Sequence, residues 1–164
     1  MKITSLTLWK VLLTSHETYY MASGKTCATV PSIVVRVGTD TGIEGWGEVC
    51  PIPHYLPAYA DGVTPAIKEL LPVLLGKNPL GTEVLMADAE KHLPDHRYAK
   101  SALDIALWDI TAKAARMPLF NLLGGLFSDT LPVYHSLTCV DPDEMATSAK
   151  AQFQKGVRQF QVKL

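Results

Sequence analysis

The stretch that decides the fold is the last one in the chain, Gln159-Phe160-Gln161-Val162-Lys163-Leu164. Apolar and polar side chains alternate along it, and this two-residue period predicts a β-strand with its three apolar side chains on one face. Gln159, Gln161 and Lys163 share the other face. The strand therefore carries one ammonium group beside two amides.

A helix is predicted directly before this strand. Asp141 can cap its N-terminus, Pro142 suits the first helical position because it lacks a backbone N–H, and Glu144 can complete a capping box. Gly156 is placed to end the helix in a left-handed conformation. Residues 131–138 are predicted to form another strand before the helix. Strand, helix and strand in this length predict a parallel pair joined by a right-handed crossover.

Two parallel strands cannot cover their own faces and edges. Parallel sheets are normally covered by helices on both faces or closed into a barrel. Because the chain stops after the second of these strands, we expect it to be truncated or to be one part of a larger structure.

The composition is that of a globular protein with a core of its own. The chain has 164 residues, of which 48% are hydrophobic and 19% are charged. A net charge of -1 without Lys/Arg clusters argues against binding to nucleic acid or to anionic membranes. We recognise neither a signal peptide nor an apolar run that could span a bilayer, so a cytoplasmic location is expected.

Neither the cysteines nor the histidines predict a metal site. The three cysteines are widely spaced, without the paired spacing of a zinc or redox centre, and reduced thiols are expected. His92 and His96 have helical spacing, but Pro94 between them breaks the helix that would bring both rings to one face.

The part of the chain up to about residue 125 is predicted to be an α+β unit that opens with three strands. Residues 3–13, 32–37 and 42–49 are strand-like, and a dense turn signal at 38–42 joins the last two, so we predict a three-stranded antiparallel meander. It ends in Gly45-Trp46-Gly47-Glu48. These glycines are expected to bend the strand or to permit a close approach, since the third glycine and following helix of a phosphate loop are missing.

Helices are predicted after the meander. The first starts at Thr64-Pro65 and runs toward Leu75, and the second is capped by Thr82 and runs toward Leu93. The third, over residues 99–114, is the strongest, because apolar residues recur at the i, i+3, i+4, i+7 spacing of a buried helix face.

Two aspartates interrupt this third helix. Asp104 and Asp109 stand four residues from Lys100 and Lys113 respectively, and we expect ion pairs rather than catalytic carboxylates.

Two loops within this unit are candidates for function. Residues 14–26 are predicted to form a long polar loop, for which a functional role and a disordered surface excursion are equally compatible with the composition. Residues 50–61 are stiffened by prolines and are expected to expose His54, Tyr55 and Tyr59. Such a loop suits one wall of a pocket; the alternative is that its tyrosines pack on the neighbouring helix.

Four motifs in one order give the chain a resemblance to a known superfamily. They are the meander ending at Gly45-Trp46-Gly47-Glu48, the helix with Ala99 to Ile110, the segment Pro118-Leu119-Phe120-Asn121-Leu122-Leu123-Gly124-Gly125, and the strand with Lys163. Together they resemble the enolase superfamily, and within it the branch of mandelate racemase and muconate lactonising enzyme. The resemblance covers the whole chain.

The resemblance implies two domains. Residues 1–125 would form an N-terminal capping domain, and residues 126–164 the first two strands and the intervening helix of a truncated (β/α) TIM-like barrel. The loops at 14–26 and 50–61 would then close over the mouth of the barrel and select the substrate.

The resemblance also implies a reaction. Enzymes of this kind remove or return the proton alpha to a carboxylate, and Lys163 occupies the position of their lysine base at the end of the second barrel strand. Mg²⁺ is the expected cofactor, a combination known for the superfamily. Its carboxylate ligands lie on later strands, so no metal ligand is assigned in this chain. Gln161 stands where the family often has a second lysine, which indicates a subgroup with one base on this strand.

The substrate class follows from the same resemblance. The loop Pro53-His54-Tyr55-Leu56-Pro57-Ala58-Tyr59 together with the last strand is most similar to hydroxyproline dehydratases and proline betaine epimerases. This implies Tyr55, and beside it His54, as substrate-binding residues. An aromatic wall would suit a quaternary ammonium through cation-π attraction of roughly 1 to 2 kcal/mol.

The expected function is therefore that of a racemase, epimerase or dehydratase of a small-molecule carboxylate, in a homo-oligomer. Muconate cycloisomerase or dipeptide epimerase activity is the alternative within the superfamily. A non-catalytic fragment that assembles with other copies through its uncovered sheet is the alternative outside it.

Overall fold

The computed structural model describes residues 1–53 and 58–162. The elements follow in the order β1 (Ile3–Tyr20), β2 (Thr26–Thr39), β3 (Glu44–Val49), α1 (Ala60–Leu74), α2 (Thr82–His92), α3 (Arg97–Ala115), α4 (Leu119–Leu122), β4 (Tyr134–Leu137), α5 (Pro142–Gln154) and β5 (Gln159–Val162). A single 3₁₀ turn at Ala22–Gly24 joins β1 to β2. None of the helices in the described ranges is both long and apolar enough to cross a membrane.

The chain folds as two compact units and contains two sheets. The first unit comprises residues 1–13 and 30–126, and the second comprises residues 14–29 and 127–164. One sheet is three-stranded and antiparallel with the order β1-β2-β3, as predicted, and the other is two-stranded with the order β4-β5.

The predicted loop at residues 14–26 is wrong. β1 continues to Tyr20 and β2 starts at Thr26, so most of this stretch is strand, with a tight turn at Ser23 and Gly24 that has φ of 62° and 69°. The threonines and tyrosines that make the stretch polar are also good strand formers. Polarity therefore reflected an exposed hairpin and not an irregular loop.

Helix α3 lies at the centre of the core of the first unit, as its periodicity predicts. Its apolar face is at most 1% exposed at each of its central positions, and it packs against the sheet and against α1 and α2. The residues buried most completely on this face are Ala102, Leu103, Ala106, Leu107 and Ile110.

The glycines of β3 permit a close approach, as predicted. A Cβ on Gly45 would overlap the carbonyl oxygen of Ala106, and one on Gly47 would overlap that of Ala102. Two backbones of the core thus meet with no side chain between them, which only glycine allows.

Polar contacts fix α3 along β3 at the same place. The backbone N–H of Trp46 donates to Asp109 Oδ2 at 2.9 Å, and Lys113 Nζ donates to the carbonyl of Glu44 at 2.8 Å. Lys113 also pairs with Asp109 at 2.6 Å, so the predicted ion pair forms and is structural.

The second predicted ion pair is wrong. Lys100 is only 6% exposed and pairs with Glu90 of α2 instead of Asp104, and its Nζ also donates to the carbonyl of Leu93 at 2.5 Å. A buried ammonium needs several acceptors, and the end of α2 offers them. Burial, with a smaller effect of Glu83, raises the pKa of Asp104.

Helix α1 starts earlier than predicted, at Ala60 instead of Thr64. Ala60 and Val63 are 5% and 3% exposed, so packing of the first turn outweighs the start signal of Pro65. Thr82 is the first residue of α2 and not its cap; its hydroxyl donates to the carbonyl of Pro79 at 3.3 Å.

The strand–helix–strand segment is confirmed as a parallel unit. β4 and β5 are parallel, with Tyr134 opposite Gln159 and Leu137 opposite Val162. Asp141 caps α5 by accepting a hydrogen bond from the backbone N–H of Asp143 at 2.9 Å.

Replacing Gly47 by alanine tests the close approach. We expect Gly47→Ala to destabilise the protein by about 3 kcal/mol or more, because the clash is with a backbone carbonyl and no side chain can rotate away. Urea unfolding followed by circular dichroism measures this difference. Gly81→Ala is the matched control, since its Cβ would lie 3.7 Å from the nearest atom, and should cost at most about 1 kcal/mol. Equal effects of the two changes would contradict the packing described.

The Lys100–Glu90 pair predicts an acid-dependent loss of stability. The hydrogen bond from Lys100, with that from the Asp95 backbone N–H, lowers the pKa of Glu90 from its usual value of 4.5. Its contribution is therefore complete above pH 4.5 and is lost as the pH falls through the lowered value. We expect Glu90→Gln to destabilise the protein at pH 7 and to approach the unsubstituted protein in acid.

Unfolding free energies measured from pH 7 to pH 3 check this. Asp88→Asn on the same helix is the control, because its 3.7 Å pair with Lys91 is exposed and contributes little. A difference between Glu90→Gln and the unsubstituted protein that stays constant with pH would exclude this role.

Candidate functional site

The three residues predicted to act on the substrate, Lys163, Tyr55 and His54, lie outside the described residues. The structure describes β5 up to Val162, and it describes Pro53 and Ala58 on either side of the predicted loop site. The described neighbours of these positions lie in different units, and each unit is described by itself.

In the second unit, the polar face of the β4–β5 pair carries residues close in sequence to Lys163. Ser136 is opposite Gln161 in the register, and its hydroxyl donates to Gln161 Oε1 at 3.2 Å. The neighbouring residues His135 and Phe160 are also opposite each other, with rings edge-to-face at 6.5 Å. Because successive residues of a strand point to opposite faces, the hydroxyl and amide occupy one face and the two rings the other.

The tip of the β1–β2 hairpin is bound to the C-terminal end of β4. Tyr19 Oη lies 2.5 Å from Ser136 Oγ. The backbone N–H of Tyr20 donates to Thr138 Oγ1 at 2.6 Å, and the carbonyl of Tyr20 accepts from Thr138 Oγ1 and from the backbone N–H of Cys139, both at 3.1 Å. In parallel β/α structures the C-terminal strand ends carry the functional groups, and the hairpin contacts such an end here.

Tyr19, Ser136 and Thr138 were not predicted as parts of the site. Tyr19 and Ser136 are 117 residues apart in the sequence, and no local pattern relates positions so distant. The only available signal was that residues 14–26 form a candidate functional segment.

In the first unit, a cavity of about 600 Å³ lies next to the predicted loop site. It lies beside the N-terminal ends of α1 and α3 and is lined by Ala58, Tyr59, Gly62, Val63, Asp95, His96, Arg97, Tyr98 and Ala99. The ring of Tyr59 lies over Gly62, where a Cβ would be 3.2 Å from its Cζ, yet 63% of Tyr59 is exposed. Both interpretations of the loop therefore hold in part for Tyr59, which packs on a helix and lines a cavity.

A strained turn forms the opposite wall of this cavity. Asp95 and His96 are both left-handed, with φ of 61° and 47°, which is uncommon for residues other than glycine. The backbone N–H of Asp95 donates to Glu90 Oε1 at 3.2 Å. Glu90, held by Lys100, thereby supports the turn.

The described residues do not fit a metal ion. Residues 1–53 and 58–162 contain no group of three or more His, Cys, Asp or Glu side chains that could hold one. Two of the described carboxylates have other partners: Glu48 accepts a hydrogen bond from Ser32, and Asp109 pairs with Lys113.

Comparison with known proteins identifies the family. Residues 3–124 match the family model of the mandelate racemase / muconate lactonizing enzyme N-terminal domain. The chain is 37% identical to the cis-3-hydroxy-L-proline dehydratase of Roseibium aggregatum, over 100% of this chain and 45% of that protein.

Solved structures agree with this match. The N-succinyl Arg/Lys racemase from Bacillus cereus superposes with a TM-score of 0.95 at 32% identity, over 100% of this chain and 44% of that one. A member of the enolase superfamily from Roseovarius nubinhibens, complexed with magnesium, superposes with a TM-score of 0.91 at 34% identity, over 99% and 44% respectively. The chain thus spans less than half the length of each relative. It belongs to the mandelate racemase and muconate lactonizing enzyme branch of the enolase superfamily.

Proposed function

We propose that the protein containing this chain removes the proton alpha to the carboxylate of a small-molecule substrate, as a racemase, epimerase or dehydratase. The observation that supports this most is the parallel β4–β5 pair, whose polar face leads in sequence to Lys163 directly after Val162. One of the similar proteins is named as a racemase and another as a dehydratase, and these two reactions give different products. Loss of the alpha proton can begin either reaction, which is why one base accounts for both.

Lys163 is the proposed base. A lysine accepts a proton only as the neutral amine, and a site that excludes water favours that form. Gln161 contributes no charge where the family often has a second lysine, so Lys163 acts without a cationic neighbour two residues before it. The same amine would return the proton to that carbon when the reaction runs in reverse.

Proline-type amino acids or their betaines are the proposed substrates. The similarity to a cis-3-hydroxy-L-proline dehydratase supports this choice. Tyr55 and His54 would contact the substrate from the loop that also carries Tyr59. The partial exposure of Tyr59 at the cavity supports a substrate-facing role for this loop.

The remaining parts of the proposal concern architecture and cofactor. Residues 1–125 would act as the capping domain and residues 126–164 as the beginning of the barrel, in a homo-oligomer. Magnesium, when bound, would stabilise negative charge that develops on the substrate carboxylate. The described residues form no site for it, so we assign it no step here, and we expect the 164-residue chain alone to be inactive.

Deuterium exchange tests the role of Lys163. In D₂O with Mg²⁺, the whole protein should exchange the alpha proton of cis-3-hydroxy-L-proline or N-succinyl-L-arginine, which ¹H NMR detects as loss of that signal. Lys163→Ala should slow the exchange by a factor of about 10² to 10⁴, the usual contribution of a general base. Lys155→Ala, at the exposed end of α5, is the matched control and should exchange at the normal rate. Normal exchange by Lys163→Ala would exclude the proposed base.

A second candidate function is self-assembly without catalysis. Large apolar side chains of the second unit are strongly exposed, among them Phe127 at 105%, Leu131 at 85% and Val133 at 71%. Apolar surface of this kind marks interaction sites. Light scattering of the 164-residue chain should then give a mass that rises with concentration, and a strictly monomeric, folded chain would rule this candidate out.

A further inference from the structure

We propose that Gln161 is a positioning residue, which holds the capping hairpin through a directed series of hydrogen bonds from Tyr19 to Ser136 to Gln161. The capping hairpin is the stretch of residues 14–29 that lies in the second unit. This inference rests on the proposed function, because only there does the hairpin form a wall of the substrate site.

The direction of the series follows from counting protons. Ser136 has one hydroxyl proton, and it is donated to Gln161 Oε1 at 3.2 Å. At the 2.5 Å contact with Tyr19 Oη, Ser136 Oγ must therefore accept, so Tyr19 is the donor. In this arrangement the amide oxygen of Gln161 is the last acceptor of the series.

An apolar residue at position 161 could not fill this role. It offers Ser136 neither a donor nor an acceptor, so the rotamer of Ser136 would no longer be fixed from β5. The amide oxygen of Gln161 holds that rotamer, and this leaves an Oγ lone pair aimed at Tyr19.

The series acts on the end of β1, where Tyr19 and Tyr20 are hydrogen-bonded to residues of β4 and just after it. Tyr19 and Ser136 are half-buried, so water competes less for their contact than at an open surface. The next residue, Tyr20, is bound to Thr138 and Cys139 through its backbone. Loss of the Tyr19 contact should consequently loosen the Tyr20 contacts first.

In the proposed enzyme, Gln161 would therefore influence the position of the hairpin at the substrate site and would not affect the base Lys163 directly. A change at Gln161 would move Tyr19 and Tyr20 relative to the strand ends, and would act on substrate fit through that movement. The side chain itself is not required to touch the reacting atoms.

Amide hydrogen exchange in the 164-residue chain, measured by NMR, tests the inference without turnover. The reporters are the amides of Tyr20 and Cys139, and their rates are divided by that of Met145. The Met145 amide donates to Asp141 at 2.9 Å within α5, so the ratio removes any general loss of stability.

The two key variants are Gln161→Leu, which has neither donor nor acceptor, and Gln161→Glu, which keeps an acceptor. We expect Gln161→Leu to raise the exchange ratio about 2- to 10-fold, as the loss of one hydrogen bond does, and Gln161→Glu to stay within about twofold of the unsubstituted chain. Tyr19→Phe should match Gln161→Leu. With Ser136→Ala already present, Gln161→Leu should add nothing.

An unchanged ratio in Gln161→Leu, or an equal increase in Gln161→Glu, would overturn the inference. An additional effect of Gln161→Leu in the Ser136→Ala background would do the same, because the effect would then bypass Ser136. Failure here leaves the proposed reaction untouched, and absence of turnover in the whole protein leaves this series of hydrogen bonds untouched.

Discussion

The structure of the first unit depends on the contact between two backbones, β3 and α3. Gly45 and Gly47 leave no side chain between the strand and the helix, so β3 can lie directly against the backbone of α3 at Ala102 and Ala106. This closeness lets Asp109 and Lys113 reach the strand backbone and sets how α3 is rotated. The rotation in turn directs Lys100 toward Glu90, which supports the turn at Asp95 beside the cavity. A pair of absent side chains thus determines one wall of the candidate site.

Helices and strands with a regular spacing of apolar residues could be predicted from the sequence, and contacts between residues distant in the sequence could not. Helix α3 and the β4–α5–β5 segment are where their periodicity and caps predict them, because local signals and burial agree there. Residues 14–26 of the capping hairpin were mistaken for a loop. Exposed strands rich in threonine and tyrosine lack the alternation of apolar and polar residues from which a strand is predicted. The partner of Lys100 was mispredicted because an acceptor on another helix outweighs one four residues away when the ammonium is buried.

The candidate site also combines residues predicted from the sequence with contacts that only the structure shows. Lys163, Tyr55 and His54 rest on the sequence pattern and the family, and they remain predictions. The contacts of Gln161 come from the structure alone, because the strand register brings Ser136 opposite it and the hairpin adds Tyr19 from a distant part of the chain. The sequence alone gives position 161 no role beyond the absence of a charge. The geometry adds that its amide oxygen accepts a hydrogen bond from Ser136.

The central claim is that Lys163 presents its amine to the carbon next to a substrate carboxylate. The most direct measurement is a crystal structure of the whole protein with magnesium and a bound carboxylate substrate analogue. The account predicts Lys163 Nζ within about 3 to 3.5 Å of the alpha carbon, the separation of groups poised to react. A lysine side chain directed away from the bound carboxylate, on the face of β5 that carries Phe160, would contradict it.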